Sequence, residues 1–198
     1  FLDEENRELP YEIEDWNVSG ESLAWVKLNE LDEKTKIFAF WGNSSNSTLP
    51  SYRTDGSVWN EFEGVWHMGD GHDSAKNRTA SIFGNPYFNF TGPLGSGANL
   101  DGNDHFFAAG YKGVPNHDPR SISIWIKTSQ SNASLMSWGN ASNPWNFGIN
   151  SAGPFVSVAN ANKWQGIGTV SNNEWHHLAI SFAGIANDLN KSRIFVDG

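Results

Sequence analysis

The sequence predicts an all-β protein: a two-sheet antiparallel sandwich preceded by a partial β domain. Three observations carry this expectation. The chain of 198 residues holds 10 Trp, 13 Phe and 4 Tyr, ring-bearing side chains that suit a pleated, half-buried surface. Its 20 Gly and 8 Pro, together with frequent Asn, punctuate the sequence with turns and leave little room for long helices. Short apolar runs recur between those turns at the roughly 8–12-residue spacing of a sandwich or jelly roll, and no stretch sustains helical periodicity.

Taken in order, residues 1–22 are polar and acidic, with Leu9, Tyr11, Ile13 and Trp16 as the only alternation. Residues 23–28 form a strand, 31–35 a polar connection, and 36–41 a second strand stopped by Gly42 and Asn43. Residues 43–57, rich in Asn, Ser, Thr, Pro and Gly, are the best linker, which sets a domain boundary near residue 60 and divides the chain into 1–60 and 61–198. Residues 58–68 read as an aromatic strand with Trp59, Phe62 and Trp66. Residues 98–100 and 105–109 flank the turn Asp101-Gly-Asn-Asp104, as the two arms of a hairpin. Residues 121–127 alternate strictly, with Ile122, Ile124 and Ile126 on one face. Further strands follow at 135–138, 145–149, 155–158, 175–182 and 193–196. Ile122, Ile124, Trp175, Leu178 and Ile180 are expected in the core, and Trp25 and Trp125 are expected to fill it with them.

Composition narrows the function. A formal net charge of −9 argues against a nucleic-acid binder, because phosphate recognition draws on an excess of Lys and Arg; it suits a solvated surface or cation binding. The absence of Cys removes disulfides, thiolate metal sites and a Cys nucleophile together, and it is compatible with an exported bacterial protein. No apolar run approaches the roughly 18 residues that span a bilayer. The chain starts at Phe1 within a running sequence and closes on Asp197-Gly198, a hairpin-turn signal, so it reads as an internal piece of a longer protein with flanking domains.

Five pieces, in order, carry a family resemblance: Gly64-Val-Trp-His-Met-Gly-Asp70 with Asp73-Ser-Ala-Lys-Asn77, Ala98-Asn-Leu-Asp-Gly-Asn-Asp104, Ser121-Ile-Ser-Ile-Trp-Ile-Lys127, Glu174-Trp-His-His-Leu-Ala179, and Arg193 to Gly198. Over residues 62–198 the chain resembles the laminin-G-like, concanavalin A-like jelly rolls of bacterial secreted proteins. The resemblance implies a two-sheet jelly roll whose last strands follow Gly198. Leu9-Pro-Tyr-Glu-Ile-Glu14, Ala24-Trp-Val-Lys27, Ile37-Phe-Ala-Phe-Trp-Gly-Asn43 and Val58-Trp59 are similar to a poorly characterised bacterial domain of unknown function that commonly precedes such jelly rolls. That domain brings no established chemistry with it.

Four sets of residues are candidates for chemistry. Asp101, Asn103 and Asp104 place three oxygen-bearing side chains in one turn, with Asp73 in another acidic loop; Ca²⁺ takes six to eight such oxygens, and calcium is common in the resembled fold. The competing reading is a hairpin turn. Trp138, Trp145 and Trp164 lie in loop-rich stretches beside Asn140, Asn143, Asn146, Asn160 and Asn162, a combination in which rings stack on sugar C–H faces while amides bond hydroxyls; packing in the core is the favoured reading of each ring singly. Glu12 and Glu14 alternate onto one strand face as a paired-carboxylate glycosidase would require, but Trp16 and Asn17 stand where a third carboxylate belongs. His67, His72, His176 and His177 lack the spacing of a zinc site. Eight Asn-x-Ser/Thr sequons (at Asn17, Asn43, Asn46, Asn77, Asn89, Asn132, Asn140 and Asn190) suit a polar exported surface. The sequence therefore points to a non-catalytic recognition or adhesion module of an exported bacterial protein, extracellular, periplasmic or on the cell surface, binding carbohydrate or a protein ligand. An accessory part of a carbohydrate-active enzyme and a structural spacer are the alternatives, since one fold hosts all three roles.

Overall fold

The computed structural model describes residues 1–43, 45, 48–107, 111–114, 118–140, 142–158, 162–184 and 189–198. The chain divides into two compact units, Phe1–Gly110 and Tyr111–Gly198. Among the described residues every regular element is a β-strand or a single 3-10 turn, and every strand pair is antiparallel, so the protein is all-β. No helix among them is long and apolar enough to cross a membrane.

The first unit contains β1 (Tyr11–Asp15), β2 (Leu23–Val26), β3 (His72–Asp73), β4 (Arg78–Thr79), β5 (Ser81–Phe83), β6 (Tyr87–Gly92), β7 (Gly95–Asn99) and β8 (His105–Phe107). They pair as β1–β2, β3–β4, β5–β8 and β6–β7. The boundary expected near residue 60 falls inside this unit, because Val58 and Trp59 close one apolar cluster with Ala75, Trp25 and Val65. Asp73 is fully buried, and its carboxylate accepts the backbone N–H groups of Val65 (2.9 Å) and Ala75 (3.1 Å) and the Arg78 Nε–H (2.6 Å). Arg78 Nη2 also lies 2.6 Å from Asp73 Oδ2 and bonds to the Glu63 carbonyl. A buried carboxylate survives only with such saturation.

Three local expectations change here. Residues 57–59 curl into a 3-10 turn where a strand was expected: Gly56 takes a left-handed φ of 83°, and the Trp59 and Phe62 N–H groups bond back to Gly56 (3.0 Å) and Trp59 (2.9 Å). Residues 36–41 contribute only a bridge between Leu2 and Phe38, and Phe40 and Trp41 stay exposed, since no strand among the described residues pairs with them. Among the described residues the hairpin expected across 98–109 does not form, and residues 108 and 109 lie outside them; β7 pairs with β6 and β8 with β5, so residues 100–104 cross from one ladder to another.

The second unit is a sandwich. Its strands are β9 (Arg120–Lys127), β10 (Ala133–Asn140), β11 (Asn143–Asn150), β12 (Gly153–Val158), β13 (Asn162–Gln165), β14 (Trp175–Phe182) and β15 (Arg193–Val196). One sheet runs β10-β11-β12-β13 and the other β15-β14-β9. Both sheets feed one core: Trp145, Phe147, Ile149 and Val156 from the first meet Ile126, Leu178, Ile180 and Phe182 from the second. Of the expected core residues, Leu178 and Ile180 are buried, and Ile122 and Ile124 are partly buried against them. Trp175 is only partly buried. Trp125 is a correction: it is 40% exposed, because strict alternation sends Ser121, Ser123 and Trp125 to the face opposite the isoleucines. There it packs tilted against its cross-strand neighbour His177, with ring centroids 5.1 Å apart.

Two truncations test this packing. Phe147→Ala should cost about 3–5 kcal/mol in urea denaturation, as a buried aromatic replaced by a cavity does. Arg78→Ala should cost a similar ~3–5 kcal/mol, because it strands the buried Asp73 carboxylate. A loss below about 0.5 kcal/mol in either, the size of an ordinary surface change, would contradict the assignment.

Candidate functional site

The densest constellation of chemistry lies in the first unit, on β1 and the segment facing it. The β1–β2 ladder pairs Glu12 with Trp25 and then slips between Ile13 and Asp15. That bulge surrounds Glu14 and helps to aim its side chain, as bulges do. Glu14 Oε2 accepts the Trp25 indole N–H at 2.8 Å and lies 2.6 Å from His67 Nδ1. Glu12 accepts the Ser74 hydroxyl at 2.8 Å and the Trp59 indole N–H, and its Oε1 stands 3.6 Å from His67 Nε2, an ionic contact longer than a hydrogen bond. The imidazole thus sits between two carboxylates and beside two indoles, with ring centroids 5.8 Å from Trp25 and 5.6 Å from Trp59.

Electrostatics locks this cluster. Burial pushes the Glu14 carboxyl upward, but the hydrogen bonds from His67 and Trp25 and the imidazolium charge outweigh it and hold the group below its ordinary range. Burial likewise opposes a charged His67, yet the bond to Glu14 and the fields of Glu14, Glu12 and Asp70 prevail and raise its pKa. The two form an ion pair when the imidazole is protonated, with only 6% of the Glu14 side chain exposed.

Beside the cluster a cavity of about 200 Å³ opens among Trp25, Trp59, Phe62, Lys27, Asn60 and Glu61. Its rings meet at steep angles: Trp25 and Trp59 are 5.2 Å apart at 64°, and Trp59 and Phe62 are 5.3 Å apart at 85°. Phe62 is 52% exposed, whereas Trp59 is buried. Lys27 Nζ donates to Asn60 Oδ1 and lies 3.7 Å from Glu61 Oε1.

The residues singled out from the sequence occupy other places. Trp145 is 6% exposed and Trp138 stacks flat on it at 4.2 Å and 9°. The Arg120 guanidinium carbon stands 5.6 Å from both ring centroids, and burial pushes the Arg120 pKa down. Gly113 presses its backbone on Trp138 so closely that a Cβ there would meet the indole at 2.2 Å. Trp164 pairs with Val156 and packs against the same core. Asn140 Oδ1 accepts the Ser142 and Asn143 N–H groups, Asn146 accepts the Ser134 hydroxyl, and Asn160 lies outside the described residues. These rings therefore hold the sandwich together.

In the turn proposed for calcium, Asp101 Oδ1 accepts the Asn103 N–H at 2.8 Å, and Asp104 accepts the N–H groups of Asn85 (2.6 Å) and Asp101 (3.1 Å). Asp104 approaches Gly84 so closely that a Cβ would lie 2.0 Å from Oδ1. The two carboxylates shape the backbone, and Asp73 is committed to Arg78. No group of three His, Asp or Glu among the described residues is arranged to hold a metal ion. His176 and His177 diverge as adjacent strand residues do: His176 Nδ1 meets Asp197 Oδ2 at 2.8 Å, and His177 Nε2 meets Ser123 Oγ at 2.7 Å.

Sequence reasoning weighed Glu12, Glu14 and His67 separately and placed Trp25 in the core. Their assembly spans 47 residues between Glu12 and Trp59, with no local spacing to betray it. Compared with known proteins, the chain matches no family model, no curated protein and no solved structure.

The bridge predicts a pH signature. Raising His67 above its ordinary 6.5 adds stability that is complete below that value and lost as pH climbs through the folded-state pKa. Lowering Glu14 below its ordinary 4.5 adds stability that is complete above that value and lost as pH falls through the folded-state pKa. The melting-temperature gap between wild type and His67→Gln should therefore be widest between about pH 4.5 and 6.5 and shrink on both sides. A gap independent of pH would show that the imidazole contributes packing alone.

Proposed function

We propose that this chain is a non-catalytic recognition module that binds carbohydrate at the Trp25–Trp59–Phe62 cleft of its first unit. The observation that supports this reading most is the fixation of the rings: each indole N–H is tied to its own glutamate, Trp25 to Glu14 and Trp59 to Glu12. A sugar presents apolar C–H faces that stack on aromatic surface and hydroxyls that need donors and acceptors. The cleft offers both, with Phe62 as its most exposed ring and Lys27, Asn60 and Glu61 as polar neighbours. Rings held before the ligand arrives spare the entropy of ordering them on binding.

The same contacts favour binding over turnover. A glycosidase uses one carboxyl as acid and a second as base or nucleophile, and both must reach the scissile bond. Glu12 and Glu14 instead spend their oxygens on indole N–H groups, a hydroxyl and the His67 ring. The resemblance of residues 62–198 to secreted jelly rolls agrees with a module working outside the cytoplasm.

A glycan array followed by calorimetry on the whole chain tests the proposal. At least one neutral glycan should be retained, and Phe62→Ala should weaken it about tenfold, or about 1.4 kcal/mol, without moving the melting temperature. Retention of no glycan would replace this reading with that of a spacer, and an unchanged affinity in Phe62→Ala would remove the binding site from this cleft.

A further inference from the structure

We infer that the cleft is one end of a longer groove, and that its ligand is a neutral oligosaccharide lying along the groove, not a single terminal sugar; this rests on the carbohydrate reading above. A second cavity of about 430 Å³ adjoins the first, and the two share Lys27 and Asn60 as walls. The two shared wall residues touch, the Lys27 ammonium donating to the Asn60 amide oxygen, and form a saddle on that common wall. Asn60 is exposed, and an ammonium has three protons to give, so a ligand hydroxyl can lie over this saddle and share the Lys27 donors. Size favours the joined groove. Ligand sites occupy roughly 300–1,000 Å³; the aromatic cleft alone falls short of that range and the second cavity reaches it, so a ligand stacked on the rings gains room by extending into the second cavity.

The walls change character along the groove. The aromatic end supplies Trp25, Trp59 and Phe62, whereas the far end has no aromatic ring and sets Asp3, Arg7, Glu8 and Asn29 beside Leu9 and Pro10. A polymer that stacks at one end and is hydrogen-bonded at the other matches this gradient. The far wall is held in shape: Asp3 Oδ1 accepts the N–H groups of Glu5 and Arg7 at 2.9 Å each, and Glu8 accepts the Tyr52 hydroxyl at 2.6 Å.

Charge selects a neutral chain. Arg7 is bridged to Asp3 (2.7 Å) and Glu5 (3.0 Å), and Lys27 lies 3.7 Å from Glu61. Both cations along the groove are thus matched by carboxylates, and Glu8 adds a further negative charge. A uronate or a sulfated sugar would meet repulsion there, whereas hydroxyls find both donors and acceptors.

The test uses the whole chain and defined oligomers: cello-, manno- and malto-oligosaccharides from disaccharide to hexasaccharide, with oligogalacturonate as the acidic comparison. In the series that binds, affinity should rise by about tenfold or more with length and then level off. The double variant Glu8→Gln, Asn29→Ala should remove that rise while keeping the affinity for the disaccharide, and Phe62→Ala should weaken every length alike. Oligogalacturonate should bind more weakly than the neutral chain of the same length. Affinity independent of length, a rise that survives the double variant, or tighter binding of oligogalacturonate would each overturn the groove while leaving carbohydrate binding intact. Binding of no oligomer in any series would remove the carbohydrate reading and the groove together.

Discussion

A carboxylate with no solvent exposure persists only when every oxygen is answered, and the first unit is organised around one such group, Asp73. Its bonds to Val65, Ala75 and Arg78 draw together residues 63–78, a stretch with only two short strands to order it. Once that stretch is fixed, Val65 and Ala75 supply apolar surface to Val58, Trp59 and Trp25, and Ser74 and His67 are brought to the carboxylates of β1. The anchoring also accounts for Asp73 being a scaffold residue despite its place in an acidic loop. A carboxylate that neutralises a guanidinium and caps two N–H groups has little left for a cation.

On this scaffold, charge organises aromatics. His67 takes a carboxylate on each side, and the same carboxylates hold the indole N–H groups of Trp25 and Trp59. Desolvation works against each charge singly, and the mutual attraction of the pair decides the outcome, raising the His67 pKa and lowering that of Glu14. A ring tied at its N–H edge cannot rotate freely, so polar chemistry at the base of the cleft stiffens the apolar surface above it. Glutamates that alternate onto one strand face in the linear sequence thereby hold the two indole rings in place.

The second unit follows a simpler rule. Strict alternation along β9 sends Ile122, Ile124 and Ile126 toward the partner sheet and leaves Trp125 outside, so one apolar period decides a strand whatever the size of its rings. The rings of β10 and β11 obey the opposite demand. Trp138 and Trp145 are direct cross-strand partners, and they stack flat on one another beside the Arg120 guanidinium.

The long strands of the second unit were legible in the sequence because their signal is local: apolar alternation in 121–127, 145–149 and 175–182, ended by Gly, Pro and Asn, specifies β9, β11 and β14 within a residue or two. The all-β class followed from the same turns and rings. Only the tertiary structure decided the rest, because it depends on contacts between residues far apart in the chain. Residues 58–68 carry strand-forming rings, yet the Gly56 turn and the apolar cluster with Ala75 curl them instead. The turn at Asp101 has hairpin chemistry, yet β7 and β8 found other partners, since pairing energy depends on the neighbour and not on the turn alone. The candidate site joins Glu12, Glu14, Trp25, Trp59 and His67 from four separate stretches, and no spacing within any one of them encodes that meeting. Sequence sets which residues are able to be charged, aromatic or extended; burial, which exists only in the folded chain, decides which of them must pair.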